Sequence, residues 1–552
     1  MDNLFWIILW LIGLLSVSLP QNSFNMAERK YPVGIQTFER IIREGYVYVD
    51  KTDLVWQLAH DGSFIFMSRP RRFGKSLLTS TLESYFRGER ELFEGLKIMH
   101  LEQDWEQYPV IRLDLSMAKG MDTPEDLRKK LLLILEDYAD QYGRRDTEIT
   151  PGGLLQGILK RAFKETGRQV VVLIDEYDAP LLEVLHEDEN LQAFRKVMQE
   201  FYQPLKALEA KIKFCFITGI TKFSQLSIFS TINHLKNVSL SPRFSAICGI
   251  TEEEVKTVFE EDIRRMSAAY ECTPEEMFQK IKLRYDGYHF ASVSADIYNP
   301  FSLLNAFDDN ELTNQWFASG TPTFLIRQMK HFKTDIMSLD KLDVPSSAFD
   351  QPTENMQDAL PLLYQSGYLT IKDYDRELES YTLSIPNQEV RIGYTQGLLP
   401  VYTGLKSSDV QMGFAGKFWK ALKQGDVEQA MQEMRSYMAG IHYVEGFKQK
   451  LQDASSAEGF YEYTMYLIFS MLNVYARTQV KCAGGRTDMV VWMADAIYVF
   501  EMKINGTAHE ALAQIGTKGY AIPYETDGRK VVKIGVRFNA ETRVPEDWLI
   551  QF

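Results

Sequence analysis

Cysteine is scarce in this chain and poorly placed for chemistry. Cys215, Cys248, Cys272 and Cys482 are scattered, with no C-x-x-C pair. That excludes a disulfide framework and a cysteine zinc site, and it fits a reducing compartment. The eight histidines show no H-E-x-x-H or similar ligand spacing. Internal repeats, collagenous tracts and low-complexity runs are missing as well. Positive charge is in deficit: 61 Lys and Arg stand against 75 Asp and Glu, a net charge of −14. This argues against a protein coated in nucleic acid and leaves room only for a local basic groove. Lys and Arg are also missing from the residues Met1-Asp2-Asn3 ahead of the apolar run Leu4–Leu19. A secretory signal would carry a positive n-region there, and the run is short for a bilayer span. Met26, followed by AERKYPVGIQTFERII, reads as the start of a soluble protein, with residues 1–25 an extension. A retained anchor and a cleaved signal stay as alternatives, and a membrane partner follows only from the anchor. With either the Met26 start or the anchor, ATP chemistry downstream places the body of the chain in the cytoplasm.

What is present suits a soluble protein of two to four domains, since 552 residues at 45% hydrophobic and 25% charged can bury a substantial core. From Gly62 to Leu240, apolar runs alternate with helical patterns: SFIFMS (63–68), YPVIRLDLS (108–116), QVVVLIDEYD (169–178) and IKFCFITGIT (212–221). Near-continuous apolar strands separated by helices predict a parallel α/β sheet covered on both faces. After about Pro242 the pattern turns helical, and a polar, aromatic-rich stretch of unassigned fold follows to about 445. From 446 the order reads helix, strand, hairpin, helix, strand, which is a second compact α/β unit.

The stretch SRPRRFGKSLLTS (68–80) joins a predicted strand to a predicted helix and ends in Gly74-Lys75-Ser76. The usual phosphate-loop spacing puts its first glycine at 69, where this chain has Arg69. Loop amides at a helix N-terminus cradle phosphates; Lys75 would neutralise their charge and Ser76 would offer a hydroxyl to Mg²⁺. The loop then reads as a variant with extra positive charge near the phosphates. About a hundred residues on, VVVLIDEYD ends in Asp175-Glu176. Asp175 suits a magnesium held through water, and Glu176 suits polarising the attacking water. A third strand ends in the hydroxyls of Thr218 and Thr221, a position from which a polar side chain senses the γ-phosphate. Taken singly, each of these also reads as a surface lysine, a solvated strand end or a turn hydroxyl. Three in the right order, each at a strand's carboxyl end, predict an ATP site with Mg²⁺.

The second constellation is GRTDMVVWMADAIYVFEMKING. With Ala494-Asp495 as a two-residue turn, Asp488 pairs opposite Glu501, and Lys503 shares the face of Glu501. Two carboxylates can hold Mg²⁺, and Lys503 can steady charge on phosphorus. Gln514 on the next predicted helix can orient the same water, and Glu462 on the preceding one is an extra acidic candidate. The bland alternative is a hairpin with a surface salt bridge. From Glu445 onward 12 Lys and Arg face 13 Asp and Glu, nearly neutral within an acidic chain, which is compatible with approaching a phosphate backbone.

YVDKT (48–52), RPRRFGKSLL (69–78), LIDEYD (173–178), FITGITKFS (216–224), FSTIN (229–233), CGITEEEV (248–255), YDGYHF (285–290) and YNPFSLLNAF (298–307) together resemble the bacterial AAA-ATPase-like proteins. Those proteins often carry a C-terminal PD-(D/E)XK nuclease-superfamily domain, and GRTDMVV…FEMK…ALAQIGTKGYA resembles it. The resemblance runs from about residue 30 to the end. It implies an ASCE-type P-loop NTPase core at 26–241, a helical lid-like region at 242–345 and a connecting region at 346–445. A restriction-endonuclease-like α/β domain follows at 446–552. It further implies Lys75 and Ser76 on phosphate and magnesium, Asp175 and Glu176 as the acidic pair, and Asp488, Glu501, Lys503 and Gln514 at the nuclease centre. The departure at Arg69 is shared with the family, while Arg71, Arg72 and Arg243 are candidates to touch phosphate. The function expected is ATP binding and hydrolysis controlling a Mg²⁺-dependent nuclease for DNA or RNA, in defence against foreign nucleic acid. A nucleotide-dependent switch that binds nucleic acid or a protein without cutting is the alternative, and a homo-oligomer is compatible with both.

Overall fold

The computed structural model describes residues 29–182, 188–221, 235–316, 341–350, 358–403, 408–439, 475–482, 485–493, 495–504, 506–539 and 544–552, with a few single positions between them. The readings of the apolar run 4–19 and of Met26 fall outside the described residues. Among the described residues, no helix is long and apolar enough to cross a membrane.

The four apolar runs form β1 (Phe64–Ser68), β2 (Val110–Asp114), β3 (Val170–Asp175) and β4 (Ile212–Gly219), joined at one edge by the short β5 (Lys236–Asn237). Their order is β2-β3-β4-β1-β5, and every pair is parallel. All residues of β1 and β3 are buried, because helices cover both faces. Alternation then sorts the side chains into two cores. Ile65, Met67, Val171, Leu173 and Phe216 face one, while Phe64, Phe66, Val172, Ile174 and Ile217 face the other. Parallel strands place their carboxyl ends on one edge, so the ends of β1, β3 and β4 gather there. The helix Lys75–Phe86 starts at that edge.

Beyond the sheet, a helical unit holds Glu252–Val258, Glu260–Ala269, Pro274–Tyr285 and Pro300–Asp309. Thr251 with Glu254, and Thr273 with Glu276, close reciprocal capping boxes that fix two of the helix starts. A two-residue antiparallel ladder, β6 (Ile250–Thr251) with β7 (Ile297–Tyr298), ties the unit together. The first described residues dock on it: Arg29 bonds Asp262 at 2.5 Å, and the Tyr31 hydroxyl donates to the same carboxylate.

The stretch that sequence left unassigned contains β8 (Leu342–Pro345), β9 (Thr370–Asp375) and β10 (Ser380–Ser384) in an antiparallel sheet of order β8-β10-β9. Helices Ser346–Phe349 and Leu360–Gln365 lie between its first two strands, which is the connectivity of a winged helix. Helices Gln388–Thr403, Ser408–Lys423 and Val427–Ala439 follow.

The last sheet runs β11 (Tyr475–Cys482), β12 (Gly485–Trp492), β13 (Ala496–Lys503), β14 (Lys530–Phe538) and β15 (Pro545–Gln551), in that spatial order. Only β13 and β14 pair parallel, and their crossover carries the helix Ala508–Thr517. Thr507 and Glu510 close its capping box. Val490, Ile497 and Val499 pack with Ile515 of that helix, whereas Met489, Tyr498 and Phe500 belong to the core shared with Phe418 and Leu422. β15 was not expected from sequence, and the helix expected ahead of β11 lies outside the described residues.

Candidate functional site

The phosphate-loop residues are gathered at the carboxyl edge of the parallel sheet. Gly74 caps the Lys75–Phe86 helix with φ +88°, a left-handed conformation that glycine adopts without steric cost. Lys75 is almost fully buried and folds its ammonium onto the carbonyls of Arg69 (3.0 Å) and Pro70 (2.9 Å). Burial pushes its pKa down, against the pull of Asp175, Asp178 and Glu176. Asp175 is buried at the end of β3, and burial pushes its carboxyl up, opposed by a hydrogen bond from Ser76 and by the charge of Lys75. A hydroxyl and a carboxylate in contact beside a buried lysine form a hard-oxygen donor set that fits Mg²⁺ on a nucleotide phosphate. Glu176 takes φ +49°, an uncommon conformation for a non-glycine residue, and its carboxylate pairs with Lys119 at 2.6 Å.

Other expected contacts go elsewhere. Thr218 donates its hydroxyl to the Met67 carbonyl at 2.8 Å, so it is turned into the sheet between β4 and β1. Thr221 serves Asp178, whose Oδ2 accepts from the Thr221 amide (2.7 Å) and hydroxyl (2.6 Å). The Arg72 guanidinium lies 4.0 Å over the Phe301 ring, Arg71 is exposed, and Arg243 bonds Gln57 (3.1 Å) and Asp61 (2.7 Å). Arg69 does not add charge toward the phosphates. Its buried guanidinium donates to the carbonyls of Ser68 (3.0 Å), Ser239 (2.7 Å) and Phe244 (3.1 Å) and lies 4.4 Å over the Phe290 ring. Its neighbour Pro70 packs on Gly367, where a Cβ would meet the proline at 2.8 Å. Beside Gly74, an apolar cavity of about 100 Å³ is lined by Tyr48, Val49, Leu78, Ile247 and Ile250, a setting that suits a nucleobase.

The second constellation sits on β12 and β13. A turn closed by Met493 N–H to Ala496 O at 2.8 Å sets the register Met489↔Phe500 through Trp492↔Ile497. One step further would pair Asp488 with Glu501. There the ladder gives way, and Asp488 Oδ2 accepts from the Met502 amide at 2.7 Å. Glu501 is 2% exposed; its Oε1 accepts from Gln514 and lies 3.5 Å from Lys503 Nζ. Its Oε2 is buried without a hydrogen-bond partner. Burial first, and the charge of Asp488 next, push the Glu501 carboxyl up to about 7. An orphaned carboxylate oxygen beside a second carboxylate fits a divalent cation, which would relieve both effects. Among the described residues no group of three or more His, Cys, Asp or Glu stands ready to hold a metal, and Glu462 lies outside them.

The structure thus brings together Gly74, Lys75, Ser76, Asp175 and Glu176 in one place, and Asp488, Glu501, Lys503 and Gln514 in another. Sequence reasoning missed Lys119, Asp178 and Tyr520. Gln514 also lies 3.4 Å from the Tyr520 hydroxyl, and the tyrosine is nearly fully buried. Asp178 had a visible signal, being an acid that closes the run QVVVLIDEYD. Lys119 had none without knowing that β2 and β3 are neighbours.

Comparison with known proteins adds two family matches. A family described as predicted AAA-ATPase matches residues 32–229, and the PD-(D/E)XK nuclease superfamily matches residues 456–548. A relative from Azotobacter chroococcum mcd 1, named "Uncharacterized protein in vnfD 5'region", is 32% identical over 528 residues. The alignment covers 94% of this chain and 98% of the relative.

Proposed function

The chain belongs to the AAA-ATPase-like family with a C-terminal PD-(D/E)XK nuclease-superfamily domain, and from that premise we propose an ATPase whose nucleotide state controls a metal-dependent nuclease acting on DNA or RNA. The observation that carries the nuclease half is the buried Glu501, with one oxygen held by Gln514 and the other unpartnered beside Asp488. Magnesium held there would supply positive charge to a phosphodiester and lower the pKa of water. The chain's own groups do the rest. Gln514 fixes the orientation of Glu501, and Lys503 offsets charge developing on phosphate oxygen. At the nucleotide site, Lys75 would neutralise phosphate charge, Ser76 and Asp175 would hold the magnesium, and Glu176 would orient the attacking water. Defence against foreign nucleic acid is the setting this pairing of activities suits.

A binding-only switch is the second reading, favoured by the Lys503–Glu501 ion pair of 3.5 Å, which a hairpin without chemistry would also carry. One assay separates the two: cleavage of single- and double-stranded DNA and RNA with Mg²⁺, with and without ATP, by wild type, Asp488→Ala and Lys503→Ala. Cleavage by wild type that both substitutions reduce at least about a hundredfold supports the nuclease. Equal cleavage in all three sinks it. ATP binding lost in Lys75→Ala, with no cleavage under any metal, leaves the switch.

A further inference from the structure

On the face of the last sheet away from Glu501, a cavity of about 280 Å³ opens between the 408–439 helices and the start of β13. Neither the nucleotide loop nor the carboxylate pair accounts for it. Three aromatic rings line it: Trp419, Tyr498 and Phe552. Tyr498 is buried, whereas Trp419 is 36% and Phe552 67% exposed, so two exposed rings converge on one hollow. Lys423 and Lys530 stand at its rim, both exposed, and Lys530 Nζ lies 4.0 Å over the Phe552 ring. The same helix, Ser408–Lys423, also carries exposed Lys417 and Lys420, and its only acid is Asp409. In a chain of net charge −14, such a run of lysines beside aromatic rings is a local departure. Asp495 lines the hollow too.

We propose that this cavity binds a nucleotide unit, stacking its base on Trp419 and Phe552 and holding its phosphate with Lys423 and Lys530. Rings that offer faces to a base, next to cations that track phosphate, are the elements of sequence-tolerant single-strand binding. Asp495 adds an acceptor for an exocyclic amino group, so cytosine and adenine fit better than thymine and uracil. The cavity is apart from the carboxylate site: Tyr498 is three residues before Glu501 on β13, roughly 10 Å along the strand, and it faces the opposite side of the sheet. The ligand is either a free mononucleotide or one nucleotide of a strand whose scissile bond lies at Glu501. The second source rests on the nuclease reading; the first does not.

The test uses the full chain in EDTA, so that no cleavage is required. Calorimetric titration with cytidine 5′-monophosphate probes the free ligand. Fluorescence anisotropy with a labelled oligodeoxycytidylate probes the strand. Trp419→Ala is expected to weaken whichever probe binds by about five- to a hundredfold, the effect of one lost base stack. Lys530→Glu, an exposed position where folding is safe, is expected to weaken it and to flatten its salt dependence. Binding of the monophosphate that displaces the oligonucleotide identifies a mononucleotide pocket, and oligonucleotide binding alone identifies a strand subsite; either supports the proposal. Affinities unchanged in both variants, or no binding of either probe, overturn it. Unchanged affinities with Mg²⁺-dependent cleavage intact would overturn it and leave the nuclease reading standing.

Discussion

Replacing Arg69 by glycine restores the usual spacing of a phosphate loop, and the structure predicts that it damages the protein. The guanidinium is 2% exposed and makes three hydrogen bonds to carbonyls. Two of these carbonyls, Ser239 O and Phe244 O, belong to a segment 170 to 175 residues away in sequence. Each would be left buried without its donor, at about 1–3 kcal/mol apiece. A glycine adds roughly 0.5–1 kcal/mol of backbone entropy to be lost on folding. The relief of no longer burying a guanidinium works the other way. Taken together, Arg69→Gly should cost about 3–5 kcal/mol. Lys75 rests on the Arg69 and Pro70 carbonyls, so a loosened loop should also weaken ATP about tenfold, the equivalent of about 1.4 kcal/mol. Arg69→Lys should fall between, because one ammonium cannot span three acceptors in a fork. Urea denaturation of the first unfolding transition and ATP titration read both quantities. An Arg69→Gly variant within about 1 kcal/mol of wild type, or one that binds ATP more tightly, would refute the reasoning.

Lys119 restrains Glu176 through a partly exposed ion pair of 2.6 Å, a contact of at most about 1 kcal/mol. Lys119→Ala should therefore raise the ATPase kcat by about two- to fivefold, and an unchanged or lower kcat would show that the pair is not inhibitory. Burial pushes Glu389 up to about 7 from 4.5, so the folded chain keeps a proton that the unfolded chain has released between those values. Its contribution to stability is whole below about pH 4.5 and fades as pH rises through about 7, on the order of 3 kcal/mol in all. In Glu389→Gln the amide oxygen still accepts from the Gln315 and Trp316 N–H groups, so the variant should lose part of that slope. Asp286, also pushed up to about 7, keeps the rest. Urea midpoints at about pH 5 and pH 8 check this, and parallel slopes in variant and wild type would contradict it.

Some of this was legible in the sequence because the physics is local. Val171 to Ile174 are buried on both faces, and a continuous apolar run announces that. The hairpin of β12 and β13 follows from a two-residue turn, although its ladder stops one step short of pairing Asp488 with Glu501. Gly74-Lys75-Ser76 opens the helix Lys75–Phe86, with Gly74 in the left-handed conformation that a glycine allows. The middle unit was opaque because TIKDYD and SYTLS leave much of their length partly or fully exposed and carry no long apolar run. β15 was opaque for the same reason: PEDWLIQ opens on a proline and two acids, and it is held partly by Trp548 Nε1–H donating to Glu428 at 2.8 Å. Arg69 misled because its role depends on Ser239, Phe244 and Phe290, none of which its neighbours in sequence foretell.

The contact between Pro70 and Gly367 bears on inheritance. Gly367 holds φ +83°, and any side chain there would strike the phosphate loop. Arg69 on one side and Tyr364 and Gln365 on the other line the same small gap. The border between the sheet unit and the winged unit thus runs along the loop at Arg69 and Pro70 instead of across a free linker. Cut there, neither piece would keep an intact surface. The two units are therefore not interchangeable parts: a lineage that shuffled one without the other would have to rebuild position 70 and position 367 together.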